Sequence, residues 1–223
     1  MLNVSSFIDQ YGALLAQGTV DTLVLVFAST AVAYIIGLVL GVVLHLTAPD
    51  GLRPMPALNA VLGWIVNIGR SLPFIILLVT LIPVTIVLTG TATGVRGVLP
   101  PLVVATAPFV GRMVEQSLAE INRDAVEAAE ACGASVPRIV FSALLPEAAP
   151  SIVRGVAVTL IAVLGYTAIA GAVGAGGLGD IAIRYGYYRY EDSVMIVTVV
   201  LLVIIVQVIQ SACDLIARKI DHR

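Results

Sequence analysis

Long stretches without a charged side chain set the architecture that this sequence predicts. Thr22–Leu44 is uncharged over 23 residues, Leu72–Val95 over 24, Gly155–Gly179 over 25 and Ser193–Cys213 over 21. A helix crossing the apolar core of a bilayer needs about 20 such residues. A fifth run, Gly97–Gly111, has only 15, but Arg112 can snorkel toward the headgroups and let the helix continue to Val114. No run alternates with period two, and all are too long for barrel strands, so the spans are helical. The pattern predicts an all-α membrane protein with five transmembrane helices.

The second hydrophobic region is longer than one span. Pro56–Leu88 covers 33 residues, about 50 Å as a single helix. Arg70-Ser71-Leu72-Pro73 interrupts it, and Pro73 removes a helix hydrogen bond. Leu58–Gly69 therefore reads as an inner-leaflet or tilted segment that breaks near Pro73 and continues to about Leu88. Arg70 either lines a polar path or simply snorkels and caps carbonyls at the kink.

Charge orients the chain. With the N-terminus outside, the inner segments hold eight Lys and Arg (Arg53, Arg112, Arg123, Arg138, Arg154, Arg218, Lys219 and Arg223) against three outside (Arg96, Arg184 and Arg189). Positive residues gather on the cytoplasmic side, so N-terminus out and C-terminus in is the expected topology. Met1–Gly18 contains Asp9 but no Lys or Arg, so it lacks the positive start of a cleavable signal.

The composition agrees with a membrane protein. The chain is 59% hydrophobic and 12% charged, with net charge -2, whereas a soluble domain carries roughly 25% charged residues. A single Lys, Lys219, offers no basic patch for nucleic acid. Cys132 and Cys213 are too few and too far apart for a disulfide framework or metal site. His45 and His222 belong to no ligand pattern, and no G-x-S-x-G elbow is present, so an enzyme is not expected. Gly174–Gly179 formally satisfies G-x-G-x-x-G, but without a preceding strand it reads as a helix end and tight turn. Gly37-x-x-x-Gly41 permits close helix approach. The four longest runs hold no Asp or Glu, which disfavours an ion-coupled secondary transporter.

The densest group of charged residues lies in Glu115–Arg154, between the third and fourth spans. On a helical wheel Glu120, Asp124 and Glu127 share one arc, with Glu130 at its edge, opposite Ile121, Ala125, Ala128, Ala129 and Cys132. Gly133 ends this helix, Pro137 suits the first turn of a second one over Pro137–Leu144, and Leu145-Pro146 ends that. The result is a cytoplasmic helix pair, which is either a docking element or a solvated connector.

Glu127-Ala128-Ala129, Gly133 and Leu145-Pro146 resemble the "EAA…G…LP" loop of ABC-importer permeases. One departure is Ala143, where that pattern often has Ile. The segments "NIGRSLPFIILL" (Asn67–Leu78), "APFVGRMVE" (Ala107–Glu115), "LLPEAAPSIV" (Leu144–Val153) and "GAVGAGGLG" (Gly171–Gly179) are together similar to the five-helix permeases of methionine importers.

The resemblance implies an extracytoplasmic segment over 1–18, a permease domain over 19–215 and a short cytoplasmic tail over 216–223. It makes Glu127, Ala128, Ala129, Gly133, Leu145 and Pro146 the elements that couple to a cytoplasmic ATPase. By resemblance, Tyr166–Ala170 lies near a two-fold axis, where Ile169 from two copies closes the outer path; Tyr166 joins Arg70 as a candidate pathway residue. The outer cluster with Tyr187 and Arg189 docks a solute-binding protein or forms an aromatic interfacial belt.

The implied assembly is a homodimer on two ATP-binding subunits in a bacterial inner membrane. Five helices are too few to enclose a path, and two copies give ten around a two-fold axis. No P-loop precedes Lys219, so ATP and Mg belong to the partner and this chain needs no cofactor of its own. Methionine, as L- and D-forms, rests on the resemblance alone; phosphonate and quaternary-amine permeases share the "GAGGLG" type of segment.

Overall fold

A computed structural model of the chain describes residues 4–220, apart from the side chains of Val4, Arg123 and Ala125. Asp221, His222 and Arg223, the last of them one of the eight inner charges, lie outside the described residues. The described chain is helical in every regular element. Helix α1 is Val4–Thr47, α2 Pro56–Ser71, α3 Phe74–Thr80, α4 Ile82–Thr89 and α5 Gly94–Ala119. Next come α6 Arg123–Ala131, α7 Val136–Ile139, a π-turn over Val140–Leu144, α8 Leu145–Gly171, α9 Gly177–Ile181, a second π-turn over Ala182–Tyr187 and α10 Asp192–Ile220.

Four helical stretches are long and apolar enough to cross a membrane: Ser5–Thr47, Gly94–Ala119, Val136–Gly171 and Asp192–Ile220. The bent pair Pro56–Ser71 and Phe74–Thr80 makes a fifth when taken as one span. The break falls at Leu72-Pro73, as the proline requires. Beyond it the chain does not run as one helix to Leu88. Leu81 closes α3, Pro83 restarts the chain in the first turn of α4, and Gly90 at φ 78 ends it. Pro83 has no N–H for the Val79 carbonyl, and the chain divides there.

Two compact units divide these helices. One comprises the chain up to Ala31 with Leu72–Ala105 and Leu160–Ile209; the other comprises Val32–Ser71, Thr106–Thr159 and the chain from Gln210 on. In the second unit α1 and α5 meet through glycine. A Cβ on Gly37 would lie 2.6 Å from the Val110 side chain, and one on Gly41 2.6 Å from the Gly111 carbonyl and Val114. The Gly37-x-x-x-Gly41 pair is thus a packing surface, as its spacing predicts. Ala33, Ala107, Val110, Val114, Leu118 and Ile121 continue that seam into the core beneath α6 and α7. At the end of α1, Asn59 donates to the Leu44 carbonyl at 2.7 Å and to the Thr47 hydroxyl at 3.1 Å, satisfying groups the helix leaves open.

In the first unit the glycine-rich segment clasps α1. Helix α8 ends in a Schellman turn: Ala175 N–H reaches the Ala170 carbonyl at 3.2 Å, Gly174 N–H reaches Gly171 at 3.1 Å, and Gly174 takes φ 78. Leu178 N–H then donates to the buried Thr22 hydroxyl at 2.8 Å, which donates in turn to the Gly18 carbonyl at 2.9 Å. The glycines do end the fourth span in a tight turn.

Candidate functional site: the α6–α7 hairpin

The hairpin is built from local signals. Asn122 caps α6, its side chain accepting from Asp124 N–H at 3.1 Å. The helix stops in another Schellman turn, where Gly133 N–H reaches the Glu130 carbonyl at 2.8 Å and Ala134 N–H reaches Ala129 at 3.1 Å. Gly133 adopts φ 73, the left-handed conformation that makes glycine the favoured residue there. Ser135 precedes α7 without a side-chain bond, and a proline, Pro137, stands in the first turn.

Packing decides which face is inside. Ile121, Ile139, Val140 and Leu144 are buried in one core with Leu118, and Val126, Ala129, Val136 and Ala143 pack against it. Glu127, Ala128, Glu130 and Cys132 are exposed. This corrects the wheel reading at three positions: Ala128 and Cys132 are not on the inward face, and Val126 is. The Ala125 side chain lies outside the described part of the helix.

Pro146 is a further correction. The sequence reading ends a short helix at Leu145-Pro146, whereas Val136–Gly171 runs as one helical stretch of 36 residues. The π-turn over Val140–Leu144 absorbs the irregularity: Leu145 N–H bonds to the Val140 carbonyl, five residues back. Pro146 stands in the first turn of α8, and Pro150 sits inside that helix. Leu145 packs against the hairpin's core, while Pro146 is exposed.

Beside the hairpin a cleft of about 430 Å³ is lined by Val126, Glu127, Glu130, Glu115, His45 and Asp50, among others. Its polar rim is mainly acidic. Arg112 reinforces this end of α5, donating to Glu115 at 2.7 Å and to the Asn67 side chain of α2 at 3.2 Å. That tie gives Arg112 a partner within the fold beyond its snorkelling role. It also links "NIGR" and "GRMVE", the two motifs that carried part of the resemblance.

The remaining candidates belong to other elements of the chain. Arg70 is exposed in the last turn of α2. Tyr166 stacks on Phe74, ring centroids 4.9 Å apart and planes at 17°, and Thr167 is buried with its hydroxyl bonded to the Leu164 carbonyl at 2.8 Å. Ile169 is 45% exposed, so the described chain covers only part of its side chain. Tyr187 is exposed and tilted against Tyr188 at 5.3 Å, while Arg189 lies 4.5 Å over the Tyr185 ring. Asp180, one residue past a charge-free run, is buried and paired with Arg184. Run counting stops at Gly179 and misses it, although an i, i+4 Asp-Arg pair is a legible signal.

Several long apolar helices with a polar helical hairpin between two of them mark a multi-pass membrane protein. The chain belongs to the family of binding-protein-dependent transport system inner membrane components, whose model matches residues 33–223. It is the permease component of an ABC importer, a multi-pass membrane protein.

Relatives and solved structures agree. The "Probable D-methionine transport system permease protein" of Vibrio cholerae is 47% identical over 94% of this chain and 93% of its own. The "Methionine import system permease protein" of Bacillus subtilis is 44% identical over 81% of each. A chain from inward-facing structures of the MetNI methionine ABC transporter matches with TM-score 0.94 and 46% identity, over 96% of this chain and 99% of that one. An amino acid ABC transporter solved with histidines matches with TM-score 0.80 at 17% identity, a likeness of fold.

Proposed function

We propose that this chain forms the solute pathway of an ATP-driven methionine importer, accepting the L- and D-forms from an extracytoplasmic binding protein. Two copies pair in a bacterial inner membrane above two ATP-binding subunits, which hold ATP and Mg. The N-terminus lies outside and the hairpin inside. The observation that carries the substrate is the 46% identity and near-complete overlay with a chain of the methionine transporter. The names of the Vibrio and Bacillus relatives point the same way.

In this reading ATP binding closes the ATPase dimer and pulls on α6, which the Schellman turn at Gly133 and the shared core fasten to α7. The pull passes through the π-turn into α8, whose exposed Ile169 closes the outer path with its copy. Tyr187 and Arg189 receive the binding protein, and Arg70 lies along the path. Glu127 and Ala128, exposed on α6, face the ATPase. Ala129 and Leu145 hold the hairpin to its core.

Reconstituted with its ATP-binding subunits and a methionine-loaded binding protein, the chain is expected to take up methionine with stimulated ATP hydrolysis. Gly133→Asp forces a side chain into a left-handed residue at about 1 kcal/mol. Ala129→Leu overpacks the hairpin at roughly 1–3 kcal/mol. Both variants should insert and dimerise, yet lose ATPase association or its stimulation. Normal uptake and stimulation in both would reduce the hairpin to a connector. Uptake of a phosphonate or quaternary amine with none of methionine would overturn the substrate.

A further inference from the structure

We propose that Phe141 is an anchor by which the hairpin seats in an apolar pocket of the cytoplasmic ATP-binding subunit. The inference rests on the coupling role proposed for the hairpin. Phe141 stands in the π-turn, between Val140 and Leu144, which are 5% and 1% exposed, yet its own side chain is 72% exposed. Pro137, Arg138 and Ser142 share its exposure, so one side of this stretch has no cover within the described chain.

Lipid does not supply that cover. Large apolar side chains such as Ile35 of α1 and Val203 of α10 are also exposed, but they lie within charge-free runs, at a depth where lipid or a second copy can cover them. Phe141 lies 13 residues before Arg154, the last charge before the run Gly155–Gly179. Along the continuous helix Val136–Gly171 that is about 20 Å. The headgroup layer on each side of a bilayer core is only about 5–8 Å deep. Even with a tilt of about 40°, the far end of the observed range, roughly 15 Å remain, which carries the ring past the headgroups into water.

A bare phenylalanine in water, with an arginine three residues before it, has the composition of a protein-binding hot spot. The chain's own geometry selects the partner. Val126 and Ala129 of α6 share a core with Ile139 and Val140, and the bonds at Gly133 and Ala134 lock the turn between α6 and α7. A subunit that grips α6 therefore sits against the same rigid hairpin that carries Phe141. The π-turn, with its five-residue bond from Leu145 to Val140, holds Val140 and Leu144 inward while Phe141 faces out.

The test uses the assembled transporter in nanodiscs, with Cys132→Ser and Cys213→Ala removing the native thiols. Phe141→Cys and Ala128→Cys are labelled with a water-soluble maleimide, with and without the ATP-binding subunits. Phe141→Cys is expected to react freely in the permease alone and at least tenfold more slowly in the complex, with the ATP-binding subunits added to saturation because the substitution itself removes the anchoring ring. Protection already present in the permease alone assigns the ring to lipid or a second copy and overturns the proposal. Protection of Ala128→Cys without protection of Phe141→Cys overturns the anchor while leaving the coupling role intact. Free reaction at both sites in the complex removes both readings. Phe141→Ala should also weaken binding of the ATP-binding subunit at least tenfold, with Phe141→Leu keeping most of it; equal affinity in wild type and Phe141→Ala overturns the anchor.

Discussion

At the scale of single residues, the glycines of this chain divide into those that need a conformation and those that need closeness. Gly133 is the first kind: a Cβ there would meet nothing within 4 Å, so its φ of 73 is the reason for it. Gly41 is the second kind, held against the Gly111 carbonyl and Val114. The two predict different tolerances. Gly133→Asn should fold almost normally, since Asn enters the left-handed region readily. Gly41→Leu should drive α1 off α5, because a leucine has no volume to occupy there. A loss of roughly 1–3 kcal/mol is expected, read as a lower unfolding midpoint of the purified permease; an unchanged midpoint for Gly41→Leu would show that the two helices part easily. Both positions are legible in the sequence, one as a helix stop and one as a small-x-x-x-small pair. Asn59 and the Asn67 tie of Arg112 are not, because the partners are distant in sequence and only the fold brings them together.

At the scale of elements, the uncharged runs find the spans but misplace their ends, for a physical reason. Hydropathy reports where lipid is, whereas helix ends are set by backbone groups finding partners. The helix at Thr22–Leu44 therefore extends back to Val4 and on to Thr47, and the run Gly155–Gly179 breaks after Gly171, with α9 starting only at Gly177. Pro146 misleads because a proline signals a lost hydrogen bond without saying how the chain absorbs it. Here the π-turn that ends at Leu144 does so. The clasp at Thr22 is invisible in the sequence, since a threonine in an apolar run reads as a back-bonded residue until Leu178 arrives from 156 positions away. Thr22→Val keeps the shape and leaves the Leu178 N–H buried without an acceptor, costing about 1–3 kcal/mol. Thr22→Ser should restore most of the lost stability, measured by thermal unfolding of the two variants side by side. Equal unfolding temperatures for Thr22→Val and wild type would mean that the glycine segment holds without this bond.

At the scale of the whole molecule, topology and symmetry carry the functional reading. In the orientation we propose from the eight-to-three charge asymmetry, the N-terminal part of α1 lies outside and the α6–α7 hairpin inside. A membrane-impermeant thiol reagent should therefore reach Asp9→Cys in intact cells and fail at Arg138→Cys; the reverse pattern would invert the molecule and remove the hairpin from any cytoplasmic ATPase. Symmetry is tested at Ile169. One face of α8 is satisfied within the chain, through Tyr166 on Phe74 and the buried Val163, Leu164, Thr167 and Ala170. Ile169 and Gly165 are exposed one turn apart on the other face. If two copies meet there, Ile169→Cys in a background lacking Cys132 and Cys213 should form an intersubunit disulfide in the nucleotide-free dimer, where the proposed cycle closes the outer path. In that cycle trapping with ATP opens the path and should abolish the crosslink, because a disulfide tolerates Cα separations of only about 4.4–6.8 Å. A crosslink that persists unchanged with ATP would make Ile169 a fixed interface residue rather than a gate. No crosslink in either state would leave its exposed face to lipid, and the closing point of the path would have to lie elsewhere on the two-fold axis.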